Sequence, residues 1–132
     1  MSLETRVSIA EAEQLVKEAF LRNGVKEAVA VSVSTALVAA EAEGQVGHGF
    51  SRVKDYVAQV KSKKINVDAK IKIEHLKPTS ISIDADYGFA YPALDQAISE
   101  GALTAKEYGS AIVAIFNSHH CGALSVQVEK IA

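Results

Sequence analysis

The sequence predicts an α/β protein in which an amino-terminal helical layer is followed by a mixed sheet with a crossover helix. Three patterns carry that expectation. Apolar residues recur at helical spacing from about residue 9 to residue 63. Two short stretches between residues 69 and 84 then alternate apolar and polar with period two, and residues 111–116 form a continuous apolar run. The change of period divides the chain into a helical region, 1–66, and the start of an α/β region, 67–132.

Composition narrows the classes of function. A chain of 132 residues that is 48% hydrophobic suits one domain with a buried core. Lys and Arg number 14 against 16 Asp and Glu, for a formal net charge of -2, so no broad electropositive surface is expected for nucleic acid or an anionic membrane. The apolar runs are too short and interrupted to span a bilayer. Cys121 is the one cysteine and has no partner for an internal disulfide. With no basic-then-apolar leader pattern at the amino terminus, the expectation is a soluble protein of a reducing compartment, the cytoplasm.

Taken in order, Ser8 and Glu11 form a capping box that starts a helix, with Ala12, Leu15, Val16, Ala19 and Phe20 at helical spacing and Asn23-Gly24 as its stop. An alanine- and valine-rich helix follows from Lys26 to Glu43; its small side chains near the end permit close approach to neighbours. Gly44 ends it. A third helix from Phe50 to about Lys63 places Val53, Tyr56, Val57 and Val60 on one face. The stretch Ala69–Leu76 reads as a half-buried strand, and Thr79–Asp84 as its antiparallel partner after the break at Pro78. A helix is expected over Tyr91–Tyr108, weakened by Gly101. The run Ala111–Phe116 reads as a strand covered on both faces, parallel to its neighbour across the helical crossover. A last helix starts near Ala123.

Two histidine-bearing segments compete for the chemistry. In Gly47-His48-Gly49, the imidazole lies at the mouth of the third helix, and Arg52 follows one helical turn later. The loop His119-His120-Cys121-Gly122 leaves the carboxyl end of a strand, where open α/β sheets gather their ligands. Imidazole exchanges a proton near neutral pH, and a guanidinium fork grips a carboxylate through two parallel bonds. The pair suits a small carboxylate with a hydroxyl or carbonyl beside it. On spacing alone His48 could equally be a solvent-facing loop residue, and Arg52 could serve only to pair with Asp55 or Glu43. His119 and His120 are adjacent, so their side chains diverge. Cys121 most often reads as a small buried hydrophobe, His75 as structural or exposed, and Tyr56 as core or rim. No Gly-x-Gly-x-x-Gly dinucleotide fingerprint, phosphate loop or Gly-x-Ser-x-Gly is present, and no second ligand pair supports a metal.

The order Ala-Glu-Ala-Glu-Gly-Gln-x-Gly-His-Gly-x-x-Arg-x-x-x-Tyr (Ala40 to Tyr56), Asp-Ala-Asp-x-Gly-Phe (Asp84 to Phe89) and Asn-Ser-x-His-x-Gly-Ala (Asn117 to Ala123) resembles the malate/L-lactate dehydrogenase family. The resemblance runs from Val7 onward and covers the family's amino-terminal portion. It implies a truncated form of a non-Rossmann NAD(P)-dependent dehydrogenase fold. The implied activity moves a hydride between NAD or NADP and a small 2-hydroxy or 2-oxo acid. Carried over by motif, His48 and His120 are the candidate proton-transfer residues, and Arg52 holds the substrate carboxylate. His120, Gly122 and Ala123 lie at the cofactor. A homodimer is implied as well. The family usually has serine before the first histidine, where this chain has Gly47. Because family chains run longer, the chain alone is expected to be a poor dehydrogenase. The competing expectation is a non-catalytic relative that serves as an oligomerisation or interaction module.

Overall fold

A computed structural model describes residues 5–132, so the first four residues of the 1–66 region lie outside it. Three helices come first: α1 (Ile9–Leu21), α2 (Glu27–Ala42) and, after a 3-10 turn at Val46–His48, α3 (Ser51–Lys61). The rest is β1 (Lys72–Lys77), β2 (Ser80–Asp84), α4 (Ala90–Tyr108), β3 (Ile112–Phe116) and α5 (Leu124–Ile131). The strands lie in the order β1-β2-β3, with β1 antiparallel to β2 and β2 parallel to β3 through α4.

Local chemistry sets the boundaries of these elements. Ser8 Oγ accepts the Glu11 amide at 3.2 Å while the Glu11 carboxylate accepts the Ser8 amide at 2.8 Å, so the capping box is formed. The Ser8 hydroxyl, which donates to the Glu11 carboxylate at 2.7 Å, and then the Ser8 amide hold the Glu11 carboxyl below its ordinary range. Gly24 and Gly109 adopt the left-handed backbone that ends α1 and α4. Helix α4 runs unbroken through Gly101, where an added Cβ would stand 3.1 Å from Val113 Cγ2 of β3. The missing side chain lets helix and sheet approach.

The main core lies among the helices and extends into the second half of the chain. Phe20, Val33, Leu37, Tyr56 and Val60 are buried together with Phe89 and Tyr91 at the start of α4. Phe89 meets Phe20 and Tyr56 edge to face, each at 5.7 Å between centroids. A second cluster, Ile81, Ile83, Ala93 and Ala97, joins β2 to α4. Asp95 on α4 ties the layers together, accepting Ser32 Oγ of α2 at 2.5 Å and Lys130 Nζ of α5 at 2.7 Å.

Two strand expectations change. All six residues of β1 are exposed, where half-burial was expected: β1 is an outer strand, and the inner cluster is built on β2 and β3. In β3, Val113 and Ile115 pack on that cluster, but Ile112 is 71% exposed and Phe116 is also open to solvent. The run is therefore covered on one face within this chain. Continuous hydrophobicity specified a strand that wants two covers, and the described residues provide one.

Candidate functional site

The turn carrying His48 is built by backbone geometry and three side chains. Gly44, with φ of 80°, ends α2, and the His48 amide donates to Gln45 O at 2.8 Å. Glu41 Oε2, projecting from α2, accepts the Phe50 amide at 2.8 Å and so satisfies an otherwise free donor at the start of α3. Gly49 has to be glycine because an added Cβ would lie 2.9 Å from Glu41 Cβ, against a backbone that cannot retreat. Ser51 Oγ donates to Val46 O at 2.6 Å.

Arg52 is fixed at the same place. Its Nε donates to Gly47 O at 2.6 Å, and its Nη1 stands 3.5 Å from Asp55 Oδ2. Nη2 makes no bond among the described residues, and the side chain is partly exposed. The Gly47 carbonyl thus clamps the root of the guanidinium beside His48, which is itself exposed. Of the two partners open to Arg52 on spacing, Asp55 is the one engaged. Glu43 accepts from Gln45 and Ser125 instead.

Those last contacts bring the two histidine segments together. Gln45 Nε2 donates to Ser125 Oγ at 2.7 Å, and Ser125 Oγ donates to Glu43 Oε2 at 2.7 Å. Beneath them Ala40 of α2 packs with Ala123 and Val126 at the start of α5. The end of α2, which launches the His48 turn, is therefore joined to the start of α5, which closes the His119–Gly122 loop.

A buried tyrosine pair makes a second link. Tyr56 Oη of α3 and Tyr91 Oη of α4 are 3.0 Å apart, with both residues at most 3% exposed. Gly122, at φ of 69°, rests on Tyr91: an added Cβ would stand 2.5 Å from the hydroxyl. Burial pushes both phenols above their ordinary value near 10, and the neighbouring Arg52 charge pulls each partly back. For Tyr91 the hydrogen bond to Tyr56 adds to the rise, whereas for Tyr56 that bond lowers it.

Within the second loop, His120 is exposed while His119 is half-buried with its Nε2 enclosed and unpartnered among the described residues. The divergence of adjacent side chains is as expected. Cys121 is exposed, correcting its expected burial: the chain is in an open loop and Gly122, not the thiol, takes the place against the core. His75 is exposed and reaches Glu100 of α4 at 3.3 Å, away from either loop segment. Sequence reasoning did not single out Glu41, Tyr91, Ser125 or the Asp84 contacts described below. Only a three-dimensional pairing gives them work, although Glu41 and Asp84 fall inside the recognised motifs.

No group of three or more His, Cys, Asp or Glu side chains among the described residues could hold a metal. Among the described residues no side chain caps the amino end of α5, where Ala123 is the cap residue, so its first amides can meet an acceptor. What fold and site define is an α/β unit that presents a clamped arginine, an exposed histidine and a second histidine loop at one junction.

The chain belongs to the malate/L-lactate dehydrogenase family, whose model matches residues 7–132. It is 36% identical over 126 residues to the (2R)-3-sulfolactate dehydrogenase (NADP(+)) of Chromohalobacter salexigens, covering 96% of this chain and 38% of that protein. With the Δ1-pyrroline-2-carboxylate/Δ1-piperideine-2-carboxylate reductase of Pseudomonas putida it shares 34% over 131 residues, covering 99% and 38%. Among solved structures, the Δ1-piperideine-2-carboxylate reductase of Pseudomonas syringae superposes with a TM-score of 0.91 at 31% identity, covering 96% of this chain and 38% of the other. The chain thus spans somewhat over a third of the length of these relatives, and the α/β fold expected from the resemblance is the fold observed.

Proposed function

We propose that this chain forms the substrate-holding side of an NAD(P)-dependent oxidoreductase that interconverts small 2-hydroxy and 2-oxo acids of malate or lactate size. The observation that carries the reading is the junction itself, where the His48–Arg52 turn and the His119–Ala123 loop are tied by Ser125, Gln45 and Glu43 and by the packing of Gly122 on Tyr91. Named relatives that act on sulfolactate and on cyclic imino carboxylates fit a carboxylate-bearing substrate class.

Each residue's part follows from its position. The free Nη2 edge of Arg52 takes the carboxylate, with the Gly47 carbonyl keeping the guanidinium from swinging away. His48 exchanges the proton of the substrate hydroxyl or carbonyl, and His120 is the second imidazole within the same junction. The bound nicotinamide supplies or accepts the hydride. The residues present fit that end of the cofactor in one respect: His120, Gly122 and Ala123 lead into the uncapped amides of α5, which can meet an acceptor on the ring side.

Titration of the full-length protein that carries this chain with pyruvate, oxaloacetate and sulfopyruvate, followed by assay with NADH and NADPH, tests the reading. Arg52→Lys keeps the charge but loses the fork, so carboxylate affinity should fall about tenfold or more. His48→Ala and His120→Ala should lower turnover while leaving carboxylate affinity largely intact. Unchanged binding and kinetics in Arg52→Lys would remove the carboxylate role.

A non-catalytic association module is the second reading, favoured by one feature. Between α4, β3 and α5 runs a groove of about 380 Å³ lined by Leu94, Ile98, Val113, Ile115, Leu124 and Gln127. Concentration-dependent self-association with no response to any 2-oxo acid would select it.

A further inference from the structure

We propose that Asp84 is a positioning residue for the histidine loop, an inference that rests on the dehydrogenase reading for its catalytic consequence. Asp84 ends β2 and stands in register with Phe116, the last residue of β3. Its Oδ1 accepts two bonds at once, from the Asn117 side-chain amide at 3.1 Å and from the Asp86 backbone amide at 2.9 Å. One carboxylate oxygen therefore joins the turn leaving β2 to the first residue of the loop that carries His119 and His120.

Backbone strain shows what this joint is holding. Asp86, Tyr87 and Asn117 have φ of 51°, 56° and 51°, a region costly for residues with a side chain and most so for a bulky one such as Tyr87. All three sit inside the same knot, where the Ala85 amide donates to Phe116 O at 3.0 Å and the Tyr87 amide to Asn117 O at 2.7 Å. Strained residues persist where their surroundings over-determine them, and here the two parallel strand ends do so. The left-handed Asn117 turns the chain sharply out of β3, which sets the direction in which His119 and His120 leave. Asp84 holds Asn117 in that state. It touches neither histidine.

The test compares Asp84→Ala, Asp84→Asn and, as a control, Asn66→Ala. Asp84→Asn keeps an oxygen able to accept both bonds, so this conservative variant should rescue loop and activity. Asn66 donates to the Asp86 carbonyl and carboxylate without touching Asn117, so its loss loosens the knot on the far side only. In Asp84→Ala, backbone amide exchange over residues 117–123 should rise about tenfold and the His119 and His120 ring signals should move. Turnover should fall on the order of 10- to 100-fold with KM little changed, because the carboxylate grip at Arg52 is untouched. Wild-type loop signals and turnover in Asp84→Ala would overturn the inference, as would equal loop changes in Asn66→Ala at matched thermal stability. Turnover is read in a protein of full family length that carries this chain; its absence there sinks the dehydrogenase reading, and the loop measurements then decide the positioning role alone.

Discussion

The Tyr56–Tyr91 pair is buried and hydrogen-bonded at 3.0 Å, and it makes alkaline pH a probe of the junction. Both phenols are raised in the folded state, so folding holds their protons where an unfolded chain would release them. Their contribution to stability is complete below the unfolded value of about 10 and is lost as pH climbs from there toward the folded values. Thermal melts at pH 8 and pH 11 should therefore show a fall in Tm that is smaller in Tyr91→Phe than in the wild type. An identical fall in both would mean that the pair is not protected. Gly122→Ala should disturb the same contact from above, by placing a methyl group into the Tyr91 hydroxyl at a left-handed position. It should lose ring order at Tyr56 and Tyr91 by NMR and lower Tm by several degrees. The places of His48, Arg52 and His120 in the fold, before α3, within it and in the loop after β3, were readable from the element pattern, and their roles are those proposed above. The contact of Tyr91 was not readable, since a tyrosine near the start of a helix carries no mark of the Gly122 backbone that rests on it.

The helices were the clearest elements to read. The Ser8–Glu11 box, the left-handed glycines and the apolar face of α3 all act within one or two turns of the chain, where local rules decide. Ser8→Ala should accordingly lower stability by about 1 kcal/mol, seen as a shift of the urea midpoint with unchanged slope. The parallel pairing of β2 with β3 was also readable, because a strand-helix-strand order leaves few alternatives. Burial of the strands was harder to read. Period two in β1 and unbroken hydrophobicity in β3 describe what a strand could cover, whereas actual cover depends on which elements lie nearby. The 3-10 turn at Val46–His48 escaped for a similar reason: Glu41, nine residues away from Phe50, defines where α3 begins.

Taken whole, the molecule is well packed among its helices and open along the side formed by β3 and α5. Gln127 marks that side most sharply: it is 4% exposed in an apolar groove, and neither its Oε1 nor its Nε2 has a partner among the described residues. An enclosed amide of this kind costs on the order of 1–3 kcal/mol, so Gln127→Leu should raise Tm by a few degrees in calorimetry. A drop would show that the amide is satisfied in solution. The exposed Ile112 and Phe116 leave apolar surface on the other face of the same edge strand, which accords with relatives more than twice as long. The junction lies beyond the carboxyl end of β3, and the one thiol of the chain is there. Cys121 is exposed in the histidine loop beside Gly122, so a single maleimide dye would attach at one known place without any engineered cysteine. Its emission would follow that loop directly, giving an optical signal for carboxylate titrations that needs neither cofactor nor turnover.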